Sequence, residues 1–124
     1  MVTAVDWHNP RPLPPVLSAW VKTNGSLNQP DAVHASLLAY FSDTLLIDVC
    51  LAATGRSYLR DDIQLASLDH ALWFHGPFRA DEWLLHTVEA ERVAAGRGLA
   101  HGRFYNREGV LVASASQQGL MRAR

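Results

Sequence analysis

Three polar side chains lie in apolar surroundings, where each of them needs a hydrogen-bond partner. Asp43 stands in the long apolar segment 32–53, and Ser67 stands in the apolar run 63–72. Gln117 shares one face of an alternating segment with small apolar residues, since successive side chains of a strand point to opposite faces. Burial of a carboxylate, hydroxyl or amide is costly unless the group is hydrogen-bonded. These three residues are therefore candidates for a polar site inside the fold.

Each of the three also has an ordinary structural explanation. Asp43 can share a narrow polar strip with Ser36 and point to solvent. Ser67 can be a structural serine, and a β-bulge near the end of the strand can turn Gln117 outward. Asp48 is equally acidic and lies in the same apolar segment, so the pattern does not rank it below Asp43. The residues alone leave these alternatives open.

Residue spacing argues against other types of chemistry. Ser67 is not inside a Gly-x-Ser-x-Gly motif, which disfavours a hydrolase with a serine nucleophile. His70 and His75 are separated by an odd number of residues, so they face opposite sides of a regular strand. The other histidines lack the spacing of metal ligands, and Cys50 has no second cysteine. We expect no metal and no cofactor, and we interpret His70, beside Asp69, as a hydrogen-bonded structural residue.

A long helix must position Asp43. Residues 32–53 are apolar almost all round, and Pro30 followed by Asp31 is typical of a helix start. Gly55 is typical of a helix end. A helix that is apolar on all faces must be enclosed. Since two acidic residues interrupt this one, we expect a sheet rather than lipid to enclose it.

Strand patterns account for most of the remaining chain. Alternation predicts a short first strand over 17–23, and four further strand-like segments follow the helix. Glu108 and Gly109 indicate a hairpin between the last two segments. One enclosed helix with a run of antiparallel strands predicts an α+β fold, in which an antiparallel sheet curls around one long central helix. The four segments are 63–75, 82–94, 97–106 and 110–122.

Length and composition exclude several classes of protein. The chain has 124 residues, 48% of them hydrophobic, which fits one domain over residues 17–124 after a proline-rich arm or linker over residues 1–16. The net charge of -1 and the pI near 6.6 argue against nucleic-acid binding. The chain has a single cysteine, which we expect to be a buried packing residue. The absence of a second cysteine to form a disulfide favours a reducing, cytoplasmic location. We find no apolar run near the roughly 20 residues of a membrane helix, so we expect no membrane insertion.

A set of motifs runs through the chain from residue 67 onward. Ser67 is followed by Asp69-His70, by Trp73-Phe74-His75-Gly76-Pro77-Phe78 and by Glu82-Trp83-Leu84-Leu85. Further motifs are Arg97-Gly98-Leu99-Ala100-His101-Gly102, Glu108-Gly109-Val110-Leu111-Val112-Ala113-Ser114 and Gln117-Gln118-Gly119-Leu120-Met121-Arg122. In this pattern the chain resembles the acyl-CoA thioesterase II family, and the resemblance extends over nearly the whole chain.

The resemblance implies a hot-dog fold and catalytic roles for Asp43, Ser67 and Gln117. In the implied mechanism, Asp43 acts as base or orients a water molecule that attacks a thioester, while Ser67 and Gln117 fix that water and support the oxyanion. The implied reaction is hydrolysis of medium- or long-chain fatty acyl-CoA to free fatty acid and CoA. Asp48 stands where hot-dog hydratases carry a histidine, five residues after Asp43, and this departure disfavours an enoyl-CoA hydratase.

The family carries two hot-dog domains in one chain, and the resemblance covers the C-terminal one. On this view the proline-rich start is the linker between the domains. We expect a second copy of the chain to replace the missing domain, giving a homodimer whose sheets pair. The alternative is a catalytically silent acyl-CoA-binding or assembly domain, or a fragment that needs its N-terminal half.

Overall fold

The chain folds as an antiparallel sheet around a central helical segment, in a computed structural model that describes residues 5–59 and 61–123. Within these residues the strands form one sheet in the order β1-β3-β4-β5-β2, and every neighbouring pair is antiparallel. This α+β architecture confirms the predicted hot-dog fold. The elements are β1 (Val16–Val21), α1 (Asp31–Ser42), α2 (Leu46–Thr54), β2 (Ile63–Phe74), β3 (Leu84–Ala94), β4 (Arg97–Tyr105) and β5 (Leu111–Ala123).

The central helical segment extends over Asp31–Thr54, as predicted, but a turn at residues 43–45 divides it into α1 and α2. The hydroxyls of Ser42 and Thr44 each donate to a backbone carbonyl three residues earlier, at 2.7 Å. Such side-chain bonds compete with the backbone bonds that would continue a helix. Asp43 therefore does not lie in mid-helix. It is the C-cap of α1, with φ -86° and ψ -11°.

Helix α2 lies against the sheet and forms the centre of the larger core cluster. Two glycines set how closely it approaches. A Cβ at Gly98 would lie 2.7 Å from Cys50 Sγ, and a Cβ at Gly119 would lie 2.8 Å from Ile47 Cγ1. Burial raises the pKa of the Cys50 thiol to about 11, which agrees with its expected role in packing. The cluster comprises Leu17, Leu46, Val49, Cys50, Leu51, Ala52, Val88, Ala100, Ala115 and Met121.

Helix α1 is enclosed on one side, where His34, Leu38 and Ser42 follow one another at a spacing of four residues. Tyr40 on the same helix is 72% exposed. By length and composition the 24-residue segment Asp31–Thr54, with a mean hydropathy of 1.5 over an 18-residue window, could cross a membrane, so the expectation that no run is long enough is wrong. One such helix is weak evidence for a membrane span, because the core helix of a soluble protein passes the same test.

The described part of the proline-rich arm packs against the domain. The backbone N–H of Leu13 donates to the carbonyl of Ala52 at 3.0 Å. Gly55 ends α2 with a left-handed φ of 69°, and a Cβ there would lie 2.7 Å from Pro12 Cδ. The arm therefore closes the C-terminal end of α2. Its role as an interdomain linker stays a prediction.

Candidate active site

The three candidate residues of the sequence lie together, although they come from three different elements. Asp43 ends α1, Ser67 lies on β2 and Gln117 lies on β5. The Ser67 hydroxyl donates to Asp43 Oδ1 at 3.4 Å, and Gln117 Nε2 donates to Ser67 Oγ at 3.0 Å. The network therefore joins a carboxylate, a hydroxyl and an amide within one hydrogen-bonded chain.

The three residues of this hydrogen-bonded network differ sharply in exposure. Gln117 is 1% exposed and lies on the inner face of the sheet with Ala113 and Ala115, so the alternative in which a bulge turns it outward is wrong. Asp43 and Ser67 are exposed. The site thus has a buried floor, formed by Gln117, and is open to solvent on the side of the other two residues.

A β-bulge in β2 aligns this part of the site. The pairing with β5 passes from Ser67 directly to Asp69, which leaves Leu68 as an extra residue. Because of this insertion, Ser67 and His70 face the same side of the sheet although three positions separate them. The Asp69 carboxylate accepts the backbone N–H of Gln118 at 2.8 Å, beside the bulge. The acid next to His70 therefore stabilises the irregular backbone.

His70 extends the network beyond the three candidates. Its Nδ1 lies 2.5 Å from Gln117 Oε1, and its Nε2 lies 2.8 Å from Ser42 Oγ. The structure confirms that His70 and His75 face opposite sides, because His75 Nε2 meets Ser114 Oγ at 2.9 Å on the outer face. The sequence predicts His70, beside Asp69, as a hydrogen-bonded structural residue, and the spacing carries no signal of the bulge that turns it toward Gln117.

A second carboxylate, Asp48, lies close enough for the charge of Asp43 to act on it. Asp48 is half-buried in the first turn of α2. Burial raises the pKa of Asp48 to about 6, and repulsion from the charge of Asp43 contributes to the same shift. The two acids that the sequence could not rank thus differ: Asp43 is exposed and bonded to Ser67, while Asp48 is half-buried in the first turn of α2.

The described residues offer no alternative centre for metal chemistry. In residues 5–59 and 61–123, no group of three or more His, Cys, Asp or Glu side chains is placed to hold a metal ion. A groove of about 650 Å³ lies between the arm and the C-terminal end of α2, lined by residues that include Trp7, Arg11 and Arg56. The polar network lies at the other end of α2, so the groove and the network are separate places.

Comparison with known proteins identifies the family to which the chain is similar. A model of the acyl-CoA thioesterase family matches residues 13–120. Acyl-CoA thioesterase 2 of Haemophilus influenzae is 38% identical over 110 residues, which are 89% of this chain and 38% of that protein. Human acyl-coenzyme A thioesterase 8 is 34% identical over 123 residues, covering 94% of this chain and 38% of the relative.

Solved structures agree with the sequence relatives. The acyl-CoA thioesterase II TesB2 of Mycobacterium marinum superposes with a TM-score of 0.80 at 37% identity, over 92% of this chain and 45% of that one. A hypothetical thioesterase of Streptococcus pneumoniae has a TM-score of 0.70 at 15% identity, which supports the fold alone. The chain spans less than half the length of the two curated relatives and of the TesB2 structure. The match over residues 13–120 nevertheless establishes that this chain belongs to the acyl-CoA thioesterase family.

Proposed function

We propose that this domain hydrolyses the thioester of fatty acyl-CoA to a free fatty acid and CoA. The observation that carries the proposal is the hydrogen-bonded network from Asp43 through Ser67 to Gln117. It holds a carboxylate beside two groups that can bind water or an oxyanion. The relatives that cover about nine-tenths of this chain carry the name acyl-CoA thioesterase, which supports the same reaction.

In the proposed mechanism, Asp43 accepts a proton from a water molecule while the water oxygen forms a bond to the thioester carbon. The carbonyl oxygen becomes an oxyanion, which the second N–H of Gln117 stabilises, together with the Ser67 hydroxyl once its hydrogen turns from Asp43 to the oxyanion. When the carbonyl forms again, the carbon–sulfur bond breaks. The CoA sulfur leaves as a thiolate and takes up the proton that Asp43 received. Water thus supplies both the hydroxyl of the acid and the proton of the thiol.

We propose medium- or long-chain acyl groups as substrates. Phe74 lies on the same face of β2 as His70, and its ring stacks on Phe78 with 6.0 Å between centroids. Phe74 is 49% exposed, so these rings offer an apolar surface along which an acyl chain can lie. Activity against a series of acyl-CoA chain lengths tests this part of the proposal, and a preference for acetyl-CoA would contradict it.

The Asp43→Asn variant tests the reaction. We expect thiol release from acyl-CoA to fall by roughly 100-fold or more, because the amide cannot accept the proton. Asp31→Asn makes the same change at the opposite end of α1 and should retain the activity of the original chain. Equal activity of Asp43→Asn and Asp31→Asn would remove Asp43 from the mechanism.

The openness of the site favours an alternative to hydrolysis by the chain alone. Asp43 and Ser67 are exposed, so a wall that excludes water from the substrate must come from outside the described residues. Without that wall, the domain would bind acyl-CoA or assist assembly without catalysis, or act as a fragment that needs its other half. Binding of acyl-CoA without thiol release by the chain alone would favour this reading over hydrolysis.

We also propose that a second copy of this chain provides the wall, through pairing of β2 strands in a cytoplasmic homodimer. β2 is a long edge strand of the sheet, and Leu68, Trp73 and Phe74 on it are 49–51% exposed. Such an edge is available for pairing with another strand. The lengths of the relatives, more than twice that of this chain, are consistent with a site completed by a second domain.

A further inference from the structure

His70 is held at both ring nitrogens in the hydrogen-bonded network. Its Nδ1 lies 2.5 Å from Gln117 Oε1, and its Nε2 lies 2.8 Å from the hydroxyl of Ser42, a fully buried residue. The Ser42 oxygen also lies 2.7 Å from the carbonyl oxygen of Ala39, and its single hydrogen can serve that carbonyl or His70 Nε2. The imidazole therefore connects the end of α1 to the floor of the site, although it is exposed on an edge strand.

The direction of these bonds fixes the orientation of the Gln117 amide. In the orientation found, the Gln117 oxygen faces His70, and because a carbonyl oxygen accepts hydrogen bonds and cannot donate them, this orientation requires a hydrogen on His70 Nδ1. With its oxygen bound in this way, the amide turns its NH₂ group toward Ser67 Oγ at 3.0 Å. Ser67 can then use its own hydrogen toward Asp43.

The opposite orientation of the amide would reverse the network. If the Gln117 oxygen faced Ser67, it would accept the Ser67 hydrogen, and Asp43 would lose that donor. An amide rotates between the two orientations unless a neighbour distinguishes its ends. A His70 ring with a hydrogen on Nδ1 makes this distinction, because that hydrogen matches the oxygen alone, whereas a bare Nδ1 would match the NH₂ group.

We infer that His70 is a positioning residue, which fixes the Gln117 amide so that its N–H groups face Ser67 and the reacting centre. Its effect on rate rests on the hydrolase function proposed above. The β2 bulge at Leu68 is part of the device, since it brings His70 and Ser67 to one face.

Substitutions at His70 test the inference through kcat. Removal of both nitrogens in His70→Leu is expected to lower kcat by about 10- to 100-fold with little change in KM, because a misplaced catalytic group slows the chemical step. In His70→Asn the side-chain nitrogen is attached to Cγ, as Nδ1 is, so this variant should retain most of kcat. His75→Leu removes a bonded histidine from the outer face of the same region and serves as the control.

A double-mutant cycle separates positioning from a general structural role. If His70 acts through Gln117, then His70→Leu should cost nothing further in a chain that already carries Gln117→Ala. A full additional loss in the double variant, or equal kcat for His70→Leu and His75→Leu, would overturn the inference.

A measurement without substrate keeps the inference independent of the proposed reaction. Nitrogen-15 correlation spectra of the histidine side chains should find a hydrogen on His70 Nδ1, and Gln117→Leu should shift that signal. A bare Nδ1 in the original chain would mean the reversed amide and would refute the inference. If no acyl-CoA is hydrolysed, the proposed function fails, while these spectra still decide whether His70 orients Gln117.

Discussion

The residues of the candidate site obtain their chemical character from contacts between distant parts of the chain. Gln117 is a buried amide whose oxygen and nitrogen both have partners, so its burial is compensated. Asp43 and Asp48 are separated by a single turn, yet the first is exposed and bonded while the second is half-buried. These differences follow from the helix interruption between them and not from the residue type.

The raised pKa of Asp48 predicts a penalty on stability at neutral pH. The folded chain, with a pKa of about 6, holds the Asp48 proton more tightly than the unfolded chain, with a value of 3.8. The free energy of unfolding therefore decreases as pH rises from about 4 to about 6. Asp48→Asn should raise the free energy of unfolding by about 1 kcal/mol at pH 7.5, after allowance for the partial exposure of Asp48. At pH 4 the substitution should change this free energy little.

Urea denaturation at the two pH values measures this difference. Glu108→Gln carries out the same carboxylate-to-amide change on the exposed turn between β4 and β5 and serves as the comparison. A gain in Asp48→Asn that is equal at pH 4 and pH 7.5 would mean that ionisation of Asp48 is not the cause.

At the scale of elements, two irregularities build the site. The turn after Ser42 ends α1 and exposes Asp43 at its C-cap, while the bulge at Leu68 aligns Ser67 with His70. A regular helix and a regular strand would carry these side chains in different directions. The distance between α2 and the sheet is set at Gly98 and Gly119, and Gly119 is the β5 residue that pairs with Ser67.

Gly98 tests how closely this distance is fixed. A Cβ at Gly98 would lie 2.7 Å from Cys50 Sγ and 2.9 Å from Cys50 Cβ, so Gly98→Ala must move α2 or β4. Such overpacking is expected to lower the free energy of unfolding by about 1–3 kcal/mol. Gly76→Ala is the matched control, since a Cβ there meets no atom within 4 Å. Urea midpoints that fall equally in both variants would show that the packing of α2 is not the cause.

At the scale of the whole molecule, the described residues leave an apolar surface along one edge of the sheet. β2 forms that edge, and most of its residues are exposed, whereas in β5 nearly every second residue is buried. Helix α1 adds the exposed ring of Tyr40. A surface of this kind, next to an open polar site, is what a paired second domain or second copy would cover.

Solution mass tests the proposed pairing. The original chain should have about twice the mass of one 13.7 kDa chain, and dilution should release the monomer. Leu68→Lys and Trp73→Lys place charges on the β2 edge, where they oppose strand pairing, so both should remain monomeric and lose activity. Val110→Lys, at a residue 55% exposed in the turn between β4 and β5, is the control. Monomeric mass of the original chain at all concentrations would exclude the homodimer.

Periodicity and turn residues were sufficient to predict most of the fold. The strand segments after residue 62 and the end of the helix at Gly55 are local features, so their patterns are present in neighbouring residues. The family motifs identified Asp43, Ser67 and Gln117, and the alternation of β5 placed Gln117 on the inner face. Their catalytic roles stay predictions until the variants are measured.

Local sequence patterns do not predict the two irregular positions of the fold. The turn at residues 43–45 arises where hydroxyls compete with helix bonds, and the Leu68 bulge arises from pairing with β5, so neither has a distinct period in the sequence. The role of His70 depends on both, because its partners Ser42 and Gln117 are far apart in the chain. The sequence determined the residue types and the regular elements; packing determined the irregular positions that bring the polar groups together.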